Sequence, residues 1–298
     1  MIPFNVGGAA LVALIASGVL ATSSNAAPPP GAAEYASSWA EFQALRAKAH
    51  GGQKKTFADL PDWSGIWERE VIPGYPFDPN QPKGGPATAV LTPEFQARYE
   101  KKVADAKRGV EWDNLSYCLP AGMPRWLTEP RLREFIVRPE TVWLTTEQQS
   151  EVRRVYTDGR GHVPDDEAFP LWEGDSIGFW DGDTLVVHTK NMRAGQYQRR
   201  QPDYTDQVST VERIRKIDAQ TIEDIVTVYD PPALVKPWRV VNHYIKVDEG
   251  AQKDLRINMW SCNENNNVVK DESGTTNFIL PGEAGYKNPS TLGRPLVQ

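Results

Sequence analysis

The C-terminal half of the chain consists of short segments with strand character separated by turn residues, and this pattern restricts the possible folds more than any other feature. No helical pattern alternates with these segments, so parallel strands joined by crossover helices are not expected. The segments are residues 134–138, 141–146, 151–157, 176–180, 184–190, 208–217, 221–229, 239–247 and 255–262. Such a series forms a sandwich or an up-and-down barrel. We expect a barrel, because closure removes the unpaired edges of the sheet.

The region before these segments contains two helical patterns and one further strand. Apolar side chains recur at helical spacing within residues 34–49. A second helix is expected to begin with Thr92 as its N-cap and Pro93 in its first turn, and to end before Gly109. Residues 64–71 are expected to form the first strand. The sequence therefore predicts a mainly β fold, a single antiparallel barrel with one or two peripheral helices.

The first 27 residues contain no charged side chain, and residues 6–20 are an apolar run too short to span a bilayer comfortably. Small residues follow at 24–27, which is typical of a signal peptidase site. We therefore expect a signal peptide over residues 1–26 and a periplasmic or secreted mature protein with no membrane segment. An uncleaved anchor is the alternative, because no Lys or Arg precedes the apolar run.

Charge and motif content exclude several classes of partner. The chain has 33 basic and 39 acidic side chains, which give a net charge of −6. Because it has no basic block that would neutralise phosphates, nucleic acid is not an expected partner. No nucleotide-binding fingerprint is present, and no cofactor is expected. The four histidines lack the spacing of a metal site, so no metal is expected either.

The chain has two cysteines, Cys118 and Cys262, both in the exported part. In an oxidising compartment an isolated pair most simply forms one disulfide. Two buried free thiols are the alternative. The pair has no CxxC or Cys/His spacing, which again argues against a metal site.

Four motifs carry a resemblance to a known family. They are CLPAGMPR at residues 118–125, DGRGH at 158–162, SIGFWDGDTLVV at 176–187 and CNENN at 262–266. Together they resemble an uncharacterised family of exported bacterial proteins, and GIW at 65–67 is similar to the opening strand of lipocalin-like barrels. The resemblance covers about residues 59–267. It implies a lipocalin-like barrel and pairing of the two cysteines, but no particular reaction.

The sequence patterns and this resemblance together divide the chain into four parts, and the sequence shows one departure from the family pattern. The parts are the signal peptide at 1–26, an N-terminal helix and linker at 27–58, the lipocalin-like barrel at 59–267 and a polar tail at 268–298. The family often has histidines where Asp175 stands and close to Tyr204 and Ser209. Any metal or acid–base role of those histidines is changed here, and Tyr204 becomes a candidate proton donor.

The aromatic content indicates a pocket for a small molecule. The chain has ten Trp, ten Tyr and nine Phe, more than a barrel floor and two packed helices require. Several tryptophans lie beside turns at strand ends, where a barrel has its mouth, and two histidines share strand faces with apolar residues. We expect these residues to bind a small hydrophobic or aromatic ligand. They are Trp126, Trp143, Trp172, Trp180, Trp238, His188 and His243. Packing inside the barrel is the alternative for each of them.

One loop carries candidates for acid–base catalysis. His162 lies in a loop that is rich in carboxylates, a plausible setting for a general base. Asp158 is the expected orienting group, Arg160 the expected anion holder and Tyr204 the expected acid. These roles suit a cofactor-independent lyase, isomerase or hydratase.

Other functions remain open from the sequence alone. Ser176 lies in a GxSxG motif, but the motif leads into a strand, whereas a nucleophile elbow leads into a helix, so a serine hydrolase is less favoured. A carrier that binds the same ligand class without reaction is a second possibility, and an envelope scaffold is a third. Convergent titratable groups at the pocket would favour catalysis. The sequence predicts neither the substrate nor the oligomeric state.

Overall fold

The structure is a computed structural model that describes residues 35–70, 89–110, 113–198, 201–247, 255–258, 260, 268–270, 276–279 and 283–285. The predicted signal peptide, Cys262 and most of the predicted tail lie outside the described residues. Within the predicted strand at 255–262, residues 255–258 are described and have no strand pairing. No helix in the described part of the chain is long and apolar enough to cross a bilayer.

The described residues form two α-helices, three short 3-10 helices and thirteen strands. The α-helices are α1 (Ser38–Lys48) and α2 (Pro93–Lys107), and the 3-10 helices are Asn114–Tyr117, Arg125–Thr128 and Gln148–Ser150. The strands are β1 (Trp67–Arg69), β2 (Arg133–Val137), β3 (Thr141–Thr146), β4 (Val152–Tyr156), β5 (Asp175–Asp181), β6 (Thr184–Lys190), β7 (Gly195–Gln196), β8 (Asp203–Tyr204), β9 (Ser209–Lys216), β10 (Thr221–Tyr229), β11 (Trp238–Lys246), β12 (Val268–Lys270) and β13 (Thr276–Phe278). Strands β3, β6 and β10 have the predicted bounds.

Nine of these strands close into a barrel in the order β1-β11-β10-β9-β6-β5-β4-β3-β2. Strand β1 closes the barrel by pairing with both β11 and β2. The predicted mainly β barrel with few helices is confirmed. One neighbouring pair, β4 and β5, is parallel rather than antiparallel. Parallel neighbours need a long crossover connection, and the loop at residues 157–174, which contains the DGRGH motif, provides it.

The barrel interior contains a buried polar network as well as apolar side chains. Arg153 and Glu212 are fully buried and form a bidentate ion pair, with N–O distances of 2.8 and 2.7 Å. Arg153 also donates to the hydroxyls of Ser176 and Thr189 at 3.1 and 2.7 Å. Buried charges must be paired and hydrogen-bonded. The ion pair and its two hydroxyl partners meet this requirement inside the barrel.

Helix α1 packs on the outside of the barrel. Ser37 is its N-cap, and its side chain accepts a hydrogen bond from the Ala40 amide. Phe42 is 2 % exposed and forms a cluster with apolar side chains on the outer faces of the strands. Those side chains are Ile177 and Phe179 of β5, Val186 of β6, Val211 of β9 and Tyr229 of β10. The helix therefore covers outward-facing side chains of β5, β6, β9 and β10.

The packing of α1 predicts a large effect for one truncation. Phe42→Ala should lower the free energy of unfolding by about 3–5 kcal/mol, because it removes a buried ring and leaves a cavity between helix and barrel. Urea unfolding followed by circular dichroism measures the change. Phe57 is 73 % exposed, so Phe57→Ala is a matched control that should shift stability by at most about 0.5 kcal/mol. Equal, small effects of the two substitutions would contradict this packing of α1.

Candidate active site

Four side chains form a continuous line of hydrogen bonds on the outer side of the barrel. Asp175 Oδ2 lies 2.8 Å from His162 Nδ1, and His162 Nε2 lies 2.6 Å from His188 Nδ1. His188 Nε2 lies 3.0 Å from Ser38 Oγ. We call Asp175, His162, His188 and Ser38 the relay. Its serine end is also in contact with Ser209, at 2.8 Å between the two hydroxyl oxygens.

Each member of the relay comes from a different element. Asp175 begins β5, and His188 lies near the end of β6, the antiparallel neighbour of β5. Both point outward, because the alternate residues Ser176 and Thr189 face the interior network. His162 comes from the β4–β5 crossover, and Ser38 is the first residue of α1. The relay therefore forms only after the crossover and α1 have packed on the barrel.

The crossover is fixed next to β6 by a close approach and by a hydrogen bond. Gly174, just before β5, has a φ of +66°, and a Cβ at this position would lie 2.8 Å from the Lys190 carbonyl oxygen. Only glycine fits such a position without strain. The Asp175 carboxylate also accepts a hydrogen bond from the Val163 amide at 2.9 Å. This second contact holds the backbone beside His162 in place.

Burial and neighbouring charges set the protonation states at two points of the relay. Burial is the main cause that lowers the pKa of His188 to about 3, and the neighbouring His162 and Lys190 lower this pKa further. Burial alone would raise the pKa of Asp175, but hydrogen bonds from His162 and Val163 outweigh it and hold that pKa below its usual value. At neutral pH, His188 is therefore an uncharged imidazole and Asp175 is a carboxylate.

One set of tautomers gives the relay a direction that suits proton transfer. A carboxylate only accepts hydrogen bonds, so His162 Nδ1 donates to Asp175. In the tautomer with the His188 proton on Nδ1, that proton is donated to His162 Nε2, and His188 Nε2 accepts from the Ser38 hydroxyl. Ser209 then donates to Ser38 Oγ. In these tautomers, an unprotonated imidazole nitrogen lies next to a serine hydroxyl, as proton abstraction requires.

The serine end of the relay lines a cavity of about 670 Å³. Its lining includes Ser38, Trp39, His162, His188, Lys190 and Ser209. The volume lies within the range of small-molecule sites. Trp39 forms an aromatic wall: its ring centroid lies 5.9 Å from that of His162 and 5.3 Å from that of His188, and the residue is 45 % exposed. Lys190, which pairs with Asp165 at 2.5 Å, adds a cation.

The structure brings His162 into this cavity but gives it a different carboxylate from the expected one. Asp158 pairs with Arg160 of its own turn at 2.6 Å, and the Arg160 amide also donates to it. Arg160 is exposed and lies over the Tyr156 ring at 4.1 Å. Because the turn satisfies Asp158 internally, Asp175 and not Asp158 orients His162. Neither Asp158 nor Arg160 lines the cavity.

Tyr204, the expected acid, lies in a different place. It is buried and lines a second cavity of about 550 Å³, next to Lys102 and Asp203, which form an ion pair. Burial raises the pKa of Tyr204. The expected cooperation of Tyr204 with His162 is therefore not found, because β8 carries Tyr204 to a cavity that does not include His162.

Three of the five predicted ligand-binding tryptophans belong to the core. Trp126, Trp180 and Trp238 are buried, at most 3 % exposed. Trp180 packs against Trp63 with ring centroids 5.6 Å apart, and Trp238 packs against Tyr197 at 5.5 Å. These three tryptophans therefore pack inside the protein, which was the alternative to ligand binding.

The other two tryptophans are half-buried under arginine side chains. The Arg154 guanidinium lies 5.1 Å from the Trp143 ring centroid, and that of Arg193 lies 5.0 Å from the Trp172 ring centroid. None of the five predicted tryptophans, all within the described residues, lines the relay cavity. This cavity lies on the outer side of the barrel, next to Trp39.

The two predicted ligand-binding histidines differ in outcome. His188 is part of the relay, whereas His243 faces outward on β11 between Glu70 at 3.1 Å and Glu223 at 3.6 Å. The buried residues of this strand are the alternate ones, including Asn242 and Tyr244. His243 shares its face with Val241 and Ile245, as expected, but that face is the outer one and not the packed interior or the ligand-binding face.

The GxSxG serine is not available as a nucleophile in this structure. Ser176 is buried inside the barrel, where it is hydrogen-bonded to Arg153 at 3.1 Å and to Thr189 at 2.9 Å.

The sequence analysis missed three residues of the site, which are Ser38, Trp39 and Asp175. Asp175 had one signal, its departure from the pattern of the family that the sequence motifs resemble, whereas Ser38 had none because its role depends on how α1 packs.

Two further predictions concern a metal ion and the pair of cysteines. Among the described residues, no group of three or more His, Cys, Asp or Glu side chains is arranged to hold a metal ion. Cys118 is not a free thiol. Its predicted partner, Cys262, lies outside the described residues, so the pairing stays a prediction.

Comparison with known proteins adds no family assignment: no model of a known protein family matches the chain, and a search of curated proteins found no match. The fold and the site together define a closed β-barrel with a hydrogen-bonded Ser-His-His-Asp relay at a cavity outside the barrel wall.

The depressed pKa of His188 predicts a pH dependence of stability. A neutral, buried histidine stabilises the folded state fully above its unfolded pKa of about 6.5, and this contribution is lost as the pH falls from there toward about 3. Within this window, His188 should contribute a slope of up to roughly 1.4 kcal/mol per pH unit. Urea unfolding between about pH 7 and pH 4.5 should show a shallower slope for His188→Gln than for the wild type. Parallel slopes would contradict a neutral, buried His188.

Proposed function

We propose that the protein binds a small molecule with a hydrophobic or aromatic group in the relay cavity and catalyses a proton transfer without a cofactor. A lyase, isomerase or hydratase reaction fits this description. The observation that carries the proposal is the relay itself: a neutral imidazole, aligned by a second imidazole and a carboxylate, bonds to a hydroxyl that lines the cavity. Convergent titratable groups of this kind are typical of catalytic sites.

The relay supplies a route for the proton. Ser38 Oγ takes a proton from the bound molecule while its own proton moves to His188 Nε2. As His188 Nε2 takes this proton, the proton on His188 Nδ1 passes to His162 Nε2, so the positive charge forms on His162 and not on the buried His188, whose pKa is low. The Asp175 carboxylate stabilises that charge at the far end. Lys190 is the cation that lines the cavity and can hold an anionic intermediate, the role expected earlier of Arg160.

The aromatic wall supports the proposed ligand class. Trp39 is 45 % exposed and faces the cavity beside both imidazoles. Indole surfaces bind apolar and aromatic groups through a large contact area. The same wall would serve a carrier that binds the ligand without reaction, so binding and turnover must be measured separately. The carrier is the second candidate function.

A comparison of two histidine variants tests the proposal. Tryptophan fluorescence with a panel of phenolic and terpenoid compounds selects ligands, and mass spectrometry of those ligands measures turnover. His162→Ala should lower the catalytic constant by about 10²- to 10⁴-fold, because it removes the imidazole that aligns His188. His243 lies on the outer face of β11, away from the cavity lining. His243→Ala should therefore keep full activity.

The outcomes separate the two candidate functions. Turnover that depends on His162 but not on His243 supports catalysis. Saturable binding with no turnover in the wild type favours the carrier. Equal turnover in His162→Ala and wild type would remove the relay from the mechanism.

The proposal includes export through the signal at residues 1–26 and a disulfide between Cys118 and Cys262. The small-residue cleavage site and the even cysteine count support it. Peptide mapping of the exported protein without reduction should give one cross-linked peptide that contains both cysteines, and a mature N-terminus close to residue 27. Two thiols that alkylate freely in the unreduced protein would contradict the disulfide.

A further inference from the structure

Ser38 occupies the first turn of an eleven-residue helix. In α1 the Ser37 side chain accepts from the Ala40 amide, and the Ser37 carbonyl accepts from the Glu41 amide at 3.1 Å. The amides of Ser38 and Trp39 lie before these in the same turn, where N–H groups have no acceptor within the helix. The helix dipole adds partial positive charge at this end. Negative charge that develops next to Ser38 is therefore stabilised.

Two further observations point to the hydroxyl of Ser38 as a reactive group. Its Oγ lies 3.0 Å from Nε2 of His188, and Ser38, which is 6 % exposed, lines the 670 Å³ cavity. Ser209 holds the other side of the hydroxyl at 2.8 Å and acts as a positioning residue. A nucleophile, an aligned base and donors for an oxyanion are the three parts of an acyl-transfer site.

We propose that Ser38 is the nucleophile of a second activity, the hydrolysis of carboxylic esters that carry a hydrophobic or aromatic group. The inference uses the cavity and the relay of the proposed function and rests on it to that extent. It goes beyond that function in assigning a covalent acyl-serine intermediate and a substrate class. The apolar part of the ester packs against Trp39, and its carbonyl oxygen points to the amides of Ser38 and Trp39.

The reaction balances with water as the co-reactant. Ser38 Oγ forms a bond to the carbonyl carbon while its proton moves to His188 Nε2. The C–O bond to the alcohol breaks, and the alcohol leaves with the proton from His188. Water then attacks the acyl-serine and gives a proton to His188, which returns it to Ser38 Oγ as the carboxylic acid leaves.

Labelling of the full-length mature protein tests this inference. The probes are an alkyl fluorophosphonate, which phosphonylates activated serines, and p-nitrophenyl butyrate, which releases a coloured alcohol. We expect one phosphonyl adduct in the intact mass, located on the peptide with Ser38, and a stoichiometric burst of nitrophenol when acylation exceeds deacylation. Ser38→Ala should lose the adduct, and His188→Gln should slow its formation by about 10²-fold or more.

The matched control is an exposed serine outside the cavity. Ser64 lies in the segment before β1, is exposed and does not line the cavity, so Ser64→Ala should be labelled like the wild type. Circular dichroism shows whether Ser38→Ala is folded, and the His188→Gln labelling rate gives an independent result if it is not. An unlabelled wild type, or an adduct on any serine other than Ser38, would overturn the inference.

The result can be separated from the test of the proposed function. If the fluorophosphonate does not label Ser38 but His162→Ala still lowers turnover, the proposed proton-transfer function is supported and the proposal that Ser38 is a nucleophile fails. If Ser38 is labelled while His162→Ala leaves turnover of the selected ligands unchanged, the nucleophile stands and the proton-transfer function fails.

Discussion

The hydrogen bond between His162 Nε2 and His188 Nδ1 connects the parts of the structure on which the site depends. It joins the β4–β5 crossover to the outer face of β6, and His188 continues the connection to α1 through Ser38. The bond also couples the buried, neutral ring of His188 to the Asp175 carboxylate. Without this bond, no group at Nδ1 would fix the tautomer of His188.

The position of the cavity follows from how the barrel is filled. The interior holds the Arg153–Glu212 ion pair and large aromatic side chains such as Trp180. A barrel filled in this way leaves less room for a ligand at its centre. The outer faces of β5 and β6 are covered instead by α1 and by the crossover, and the gap between these elements is the cavity. The cavity of this chain therefore lies beside the barrel and not inside it.

Local patterns in the sequence predicted the fold well and the site only in part. The hairpin of β5 and β6 and the Pro93 start of α2 depend on neighbouring residues, so they were predictable. The contacts of Asp175 and Ser38 depend on a parallel strand pair and on helix packing, which no local pattern encodes. His243 shows a different reason for failure. Alternation separates the two faces of a strand, but polar interior residues such as Asn242 made the outward face look like the buried one.

The direction of the hydrogen bonds in the relay decides whether His188 can take a proton from Ser38. Nitrogen NMR of the imidazole rings measures this direction, because it shows which ring nitrogens carry a proton. The chain has four histidines, and spectra of ¹⁵N-histidine protein can be assigned with single His→Gln variants. We expect His188 at neutral pH to carry its proton on Nδ1 and none on Nε2, so that Nε2 accepts from Ser38. A proton on Nε2 of His188, or a doubly protonated ring at neutral pH, would contradict the relay.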